Sequence, residues 1–343
     1  MEAWEHSLKK CITSPEELAG LFHAQGDDLA QVVRRYPMRI TPYYLGLIRE
    51  PGDPIWRQCV PDPAELLDLT QSPDPLDEER LSPVPGLIHR YPDRVVFLVS
   101  TACAVYCRFC MRKRGVGCQG MSPAPVDEAV AYIASQPQIR DVILSGGDPL
   151  LLSDDRLDQI LAALRRIPHV EIIRIGTRVP VTLPERVTAK LARMLKRHQP
   201  LYVNTHFNHP SEITEESARA CARLADAGIQ LGNQSVLLKG VNDDPQVMRE
   251  LMQRLLAIRV RPYYIHQMDL VQGTAHFRTR VADGITVVAA LRGHTSGLAV
   301  PHYVIDLPGG KGKVEVASAR FSPDGSRLLV RNYLGEEIEY RET

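Results

Sequence analysis

The chain has 343 residues, 44% of them hydrophobic and 24% charged, with 41 Lys and Arg balancing 41 Asp and Glu. That balance supplies no bulk charge for a nucleic-acid or membrane-surface partner, and no apolar run reaches the roughly 18 residues of a spanning helix. The length can bury a sizeable core and is long for one simple domain, though α/β barrels reach it. Met1-Glu2-Ala3-Trp4-Glu5-His6 lacks the basic-then-apolar pattern of a secretory signal, so the expected compartment is the cytoplasm.

Residues 1–90 are proline-rich and loop-heavy around short helical stretches such as 15–22. Pro51-Gly52-Asp53-Pro54 and Ser72-Pro73-Asp74-Pro75 break any long helix, because proline lacks the N–H donor and clashes with the preceding turn. This segment reads as an N-terminal helical and extended cap. Over 91–300 strand and helix alternate. Strands are expected at 95–99, 141–144, 170–175, 201–205, 230–236 and 261–265. Helical periodicity falls at 126–136, 157–167, 184–196, 215–227 and 245–258. Asp154, Thr214 and Asp244 suit helix caps, with Pro245 at a first helical position. Such alternation implies parallel strands with right-handed crossovers. Six units are too few to close an eight-fold barrel, so the expected fold is α/β, a partial (βα)6 TIM-like barrel. Residues 301–343 form a small C-terminal β segment: a strand at 303–306, a glycine-rich loop, then a hairpin from 327–333 and 337–340.

The chemistry is concentrated just after the first barrel strand, in Cys103-Ala104-Val105-Tyr106-Cys107-Arg108-Phe109-Cys110. Three thiols at this spacing can hold three corners of a four-iron cluster and leave the fourth iron open to an exogenous ligand. A loop at a strand's C-terminal end is also where α/β proteins place their chemistry. A structural zinc site would want a fourth ligand and usually a second paired knuckle, which is missing. Cys118 lies eight residues beyond Cys110 and keeps a four-cysteine arrangement open. Seven cysteines and no secretory signal argue against a disulfide.

Other motifs carry two readings each. In Ser145-Gly146-Gly147-Asp148-Pro149 the glycines let backbone approach a ligand, or simply make a strand-to-helix turn. Pro308-Gly309-Gly310-Lys311-Gly312-Lys313 offers two amines for a Schiff base, or a solvated basic turn. It is no phosphate-cradling loop, since Val314 follows Lys313 where Ser or Thr would be needed. Arg112, in the run Arg112-Lys113-Arg114, is either a surface arginine or a fork for a carboxylate beside the cluster. Asp269 lies just past the sixth strand and Asp306 ends the C-terminal strand, seven residues before Lys313; each suits a loop cap as well as a ligand cation.

Taken together, these motifs resemble the lysine 2,3-aminomutases among the radical S-adenosylmethionine (SAM) enzymes. The likeness runs from Asp74-Pro75-Leu76 and Pro83 to Tyr91, through Cys110-Met111-Arg112-Lys113-Arg114 and Thr205-His206-Phe207-Asn208-His209-Pro210, to Arg292-Gly293-His294-Thr295-Ser296-Gly297 and Lys313. It implies a [4Fe-4S] cluster on Cys103, Cys107 and Cys110 without Cys118. It further implies SAM at Ser145, Gly146, Gly147 and Asp148, and pyridoxal phosphate (PLP) on Lys313, with Arg90 also at the cofactor. Arg112 would grip the substrate α-carboxylate, while Asp269 and Asp306 would hold a distal ammonium. The implied reaction is L-lysine to β-lysine through a 5′-deoxyadenosyl radical and a 1,2-amino shift. Arginine, or the lysine reaction that serves elongation factor P modification, stands as the alternative. The resemblance implies a small amino-acid substrate, an electron donor such as flavodoxin or ferredoxin, and room for a homo-oligomer. Longer members carry a zinc-binding cysteine segment; no cysteine follows Cys221, so that zinc site is expected to be absent.

Overall fold

In the computed structural model every residue is described except 1, 23–25, 69, 118–121, 323–326 and 342–343. The N-terminal cap is built from α1 (Ala3–Lys9), α2 (Pro15–Phe22), α3 (Gly26–Arg35), α4 (Pro42–Leu45) and α5 (Pro54–Cys59). Three of its prolines, Pro15, Pro42 and Pro54, open helices instead of only ending them. Thr41 caps α4 ahead of Pro42, and the Asp53 carboxylate accepts from the N–H groups of Ile55 and Trp56 ahead of α5. Proline's fixed φ and missing donor cost nothing at a first helical position.

Nine strands then follow in spatial order as they do in sequence: β1 (Leu87–Tyr91), β2 (Arg94–Ser100), β3 (Asp141–Gly146), β4 (Ile172–Gly176), β5 (Leu201–Thr205), β6 (Gln230–Val236), β7 (Arg261–His266), β8 (His302–Leu307) and β9 (Gly312–Glu315). β2 to β8 run parallel, while β1 and β9 are antiparallel edges. The connections carry α6 (Val126–Ser135), α7 (Asp154–Arg165), α8 (Val179–Thr182), α9 (Ala189–Lys196), α10 (Glu215–Asp226), α11 (Pro245–Ala257) and α12 (Val281–Ala289). Period-2 alternation decides what each strand buries. Val142 and Leu144 on β3, Ile173 and Ile175 on β4, and Leu201 and Val203 on β5 belong to the main apolar core. Ile143, Ser145, Arg174, Gly176 and Asn204, one residue out of phase, face a central cavity.

The partial barrel with helical cap is as expected, with one more parallel strand than the six anticipated. β8 joins the sheet, so the sheet crosses the expected segment limits at 90/91 and 300/301. The sheet curls until its two edges touch without pairing as strands: the Lys313 backbone N–H on β9 donates to Tyr91 Oη on β1 at 2.7 Å. The 184–196 helix is shorter than its periodicity suggested, because Pro184–Arg186 is a 3-10 turn and Thr188 caps α9. Ser153, not Asp154, caps α7, and Asp154 instead pairs with Arg186 at 2.8 Å. Thr214 and Asp244 cap α10 and α11 as expected. The C-terminal hairpin is β11 (Leu328–Arg331) with β12 (Glu337–Tyr340), widened to three strands by β10 (Arg320–Phe321). Among the described residues no helix is long and apolar enough to cross a membrane.

Candidate active site

Inside the curled sheet lies a cavity of about 750 Å³. Its polar lining comes from strand positions whose side chains point away from the helices: Ser145, Arg174, His266, Asp306 and Lys313, with Arg90 from the antiparallel edge β1, Arg94 from the start of β2 and Arg112 from the cysteine loop. That volume accommodates a cofactor and an amino acid together, by the usual size of small-molecule sites, on the order of 300–1,000 Å³.

Antiparallel pairing of β8 with β9 sets Asp306 directly opposite Lys313, so both side chains stand on the cavity face. Lys313 Nζ donates to Asp306 Oδ2 and lies 3.1 Å from His266 Nδ1, which is itself 3.3 Å from Asp306 Oδ2. Arg90 approaches the other Asp306 oxygen at 3.5 Å, while its buried Nε has no partner among the described residues. Burial works to raise the Asp306 carboxyl, but the Lys313 ammonium and His266 outweigh it and hold the group below the ordinary range. Lys311, the other candidate amine, is exposed and precedes the strand. Between the two lysines, geometry favours Lys313.

Asp269 lies in the field of Asp306, Lys313, Arg90 and Glu78, and is pushed up to about 7 by burial and by the Asp306 charge. Arg112 reaches the cavity, but its guanidinium is already engaged. Nε and Nη2 make a bidentate pair with Glu78 at 2.8 and 2.7 Å, and Nη1 donates to Ser145 Oγ at 3.1 Å. The surface reading of this arginine is thus excluded. A substrate carboxylate could take that fork only by displacing Glu78. Sequence reasoning passed over Glu78, whose one signal was its place in the charged run Asp77-Glu78-Glu79-Arg80.

The cysteine loop is held from the cap. Glu65, fully buried, accepts from Arg108 at 2.9 and 2.5 Å and pairs with Lys113 at 2.6 Å. Arg108 also donates to the carbonyls of Pro37 and Tyr36. Lys113, read from sequence as part of a basic run, is buried, with its ammonium 4.4 Å above the Tyr36 ring. Replacing Glu65 by alanine would strand two buried cations. We expect Glu65→Ala to cost about 3–5 kcal/mol of stability, read as a lowered midpoint in denaturant unfolding of the cluster-free protein. An unchanged midpoint would mean that the cap does not anchor this loop.

Cys103, Cys107 and Cys110 are free thiols on that loop. Burial pushes Cys103 up, and Cys110 up to about 11, with neighbouring thiols adding to the effect in both. Arg178 Nη1 lies 2.8 Å from Cys107 Sγ, its guanidinium steadied by Glu212 at 2.6 Å and Gln58 at 2.5 Å. Arg112, Lys113 and Arg178 thus surround the thiols with positive charge, the environment an anionic iron–sulfide cluster with three thiolates requires. Among the described residues no three His, Cys, Asp or Glu side chains close on a single metal ion. A cluster takes one thiolate per iron instead. Cys118 lies outside the described residues.

The Gly146-Gly147 turn is explained first by backbone packing. Gly146 has φ +126°, and a Cβ there would meet Ser100 O at 2.1 Å; one on Gly147 would meet Ala102 O at 2.3 Å. Gly147 N donates to Ser100 O at 2.6 Å and Asp148 N to Ala102 O at 2.7 Å, fixing this turn against the stem of the cysteine loop. Asp148 is buried and spends its carboxylate on Leu150 N, Thr177 Oγ1 and Arg178 N. Its role in these contacts is to position the turn. His206, beyond β5, packs on Phe109 at 5.5 Å with its buried Nε2 unpartnered among the described residues; its sequence signal was its place in the Thr205–Pro210 motif, to which no role was attached.

Comparison with known proteins places these features. Residues 97–252 match the Radical SAM superfamily and residues 288–343 match the family described as Lysine-2,3-aminomutase. An L-lysine 2,3-aminomutase of Clostridium subterminale is 51% identical, over 99% of this chain and 84% of that protein. One from Acetoanaerobium sticklandii is 49% identical with the same coverage. A glutamate 2,3-aminomutase of Clostridioides difficile is 45% identical over 97% of this chain and 78% of that protein.

Proposed function

Because the chain belongs to the lysine 2,3-aminomutase family of radical SAM isomerases, we propose that it converts L-lysine to β-lysine with a [4Fe-4S] cluster, SAM and PLP. The observation that carries this reading is the Asp306–Lys313 pair on the cavity wall, with Asp269 in the same electrostatic field. Bound together, the cluster and SAM supply abstraction of an unactivated hydrogen, and PLP supplies a conjugated carbon for the migrating nitrogen. Cys103, Cys107 and Cys110 hold the cluster. Ser145 and the Gly146-Gly147 turn face SAM, with Asp148 fixing the turn from behind. Lys313 bonds to PLP, and Arg90, Arg94 and Tyr91 form a cationic, hydrogen-bonding wall for its phosphate. A reductant such as flavodoxin or ferredoxin provides the electron.

Substrate choice follows from charge. Two carboxylates beside the amine site attract a distal ammonium and repel a distal carboxylate, which separates lysine from glutamate. Arg112 orients the α-carboxylate once Glu78 yields its fork. The test incubates reduced, reconstituted protein with SAM, PLP and lysine, arginine, ornithine or glutamate in turn, and identifies products by mass spectrometry. β-Lysine from lysine is the expected product. Efficient turnover of arginine or glutamate with none of lysine would refute the substrate assignment.

A further inference from the structure

His266 is absent from the roles assigned above, yet it stands where a proton must move. It lines the cavity at the end of β7, with Nδ1 3.1 Å from Lys313 Nζ and 3.3 Å from Asp306 Oδ2. Its surroundings are mixed in sign: Asp306 from β8, Lys313 from β9, Arg90 from β1 through Asp306, the Tyr264 ring at 5.5 Å on its own strand, and His206 beyond β5. Burial first, then the Lys313 charge, pulls the imidazole below its ordinary value, so at neutral pH the ring is uncharged. A neutral ring facing an ammonium must present Nδ1 as the acceptor. Once protonated there, the same Nδ1–H faces Asp306 Oδ2.

We propose that His266 is the proton acceptor that frees the Lys313 amine for bonding to the PLP aldehyde and then returns that proton to the departing oxygen. The inference rests on the reading of Lys313 as the PLP lysine. The ammonium gives one proton to Nδ1, and Asp306 offsets the imidazolium charge. The Nζ lone pair then bonds the aldehyde carbon as the C=O π pair moves to oxygen. A second nitrogen proton passes to that oxygen, the imidazolium delivers to the same oxygen the proton it had taken from the ammonium, and water leaves. A protonated carbon–nitrogen double bond remains, and His266 is neutral again. Charge is +1 before and after, and no oxidant is needed.

The experiment uses full-length, cluster-loaded protein stripped of PLP, to which PLP is added. Linkage is trapped with borohydride at timed intervals across the neutral pH range, and the labelled peptide is identified by mass spectrometry. Wild type should show a rate plateau at neutral pH that falls as the imidazole is protonated. His266→Gln keeps a hydrogen-bonding side chain but cannot take up the proton. It should lose about 10²-fold in linking rate near neutral pH, climb steadily toward alkaline pH, and regain part of the rate with added imidazole. Labelling of Lys313 in His266→Gln at the wild-type rate and with the wild-type pH profile would overturn the proposal alone. Labelling of another lysine would overturn the Lys313 reading with it. A wild-type rate that rises through neutral pH without a plateau would also overturn it, whatever the variant's fold.

Discussion

Single replacement of Cys103, Cys107 or Cys110 by alanine is expected to reduce iron and sulfide from about four each per chain to near zero and to abolish turnover. The expectation rests on chelation. Three thiolates from one short loop hold three irons, and the loss of one leaves two ligands facing an open cluster edge exposed to hydrolysis. The loop itself should survive, since Arg108 and Lys113 remain tied to Glu65 and the Gly146-Gly147 turn still packs on its stem. Circular dichroism and thermal unfolding of the iron-free variants should therefore match those of iron-free wild type. Cys118→Ala should retain full iron. Loss of the cluster in Cys118→Ala, or full-occupancy zinc in native protein, would sink the three-thiol assignment.

What the sequence carried and what it hid divides along physical lines. The cysteine spacing, the Gly-Gly turn and the alternation of strands and helices are local signals, written within a few residues. They were legible. Asp306 and Lys313, seven residues apart, could be placed together because β8 and β9 form a tight hairpin. Glu65 and Glu78 could not, since their partners lie 43 and 34 residues away and nothing local marks a glutamate as buried. The same applies to Arg178, 71 residues from the thiol it faces. β8 was read as a strand but not as a barrel strand, because its crossover from β7 was not read as a helical unit: residues 267–280 separate β7 from the nine-residue α12. Arg112 shows what a local signal leaves out. Its carboxylate role was read from its fork, its place beside the cysteines and the resemblance, none of which points to Glu78, the partner that fills its bidentate edge in the structure.

Asp306→Asn and Asp269→Asn are each expected to lower kcat/KM for lysine by about a hundredfold or more, while cluster and PLP content stay unchanged. Removing one buried charge partner of an ammonium costs a few kcal/mol, which is that factor in rate. The two variants should differ in their pH behaviour. Asp269 sits at about 7 because burial and the Asp306 charge both oppose its ionisation. A raised carboxyl is protonated on the acid side of that value, so the wild-type enzyme should lose kcat/KM for lysine as pH falls through about 7. When Lys313 is bonded to PLP its ammonium is shared with the cofactor, and its lowering effect on Asp269 weakens. The acid limb should then lie near or above that value. Asp269→Asn removes the titrating group and should flatten this limb, leaving a low, pH-insensitive rate. Asp306→Asn relieves the repulsion that raises Asp269, so its acid limb should move to lower pH. An acid limb that is unchanged in Asp269→Asn would show that another group controls lysine capture. Full lysine turnover in Asp306→Asn would remove the distal ammonium from that carboxylate altogether.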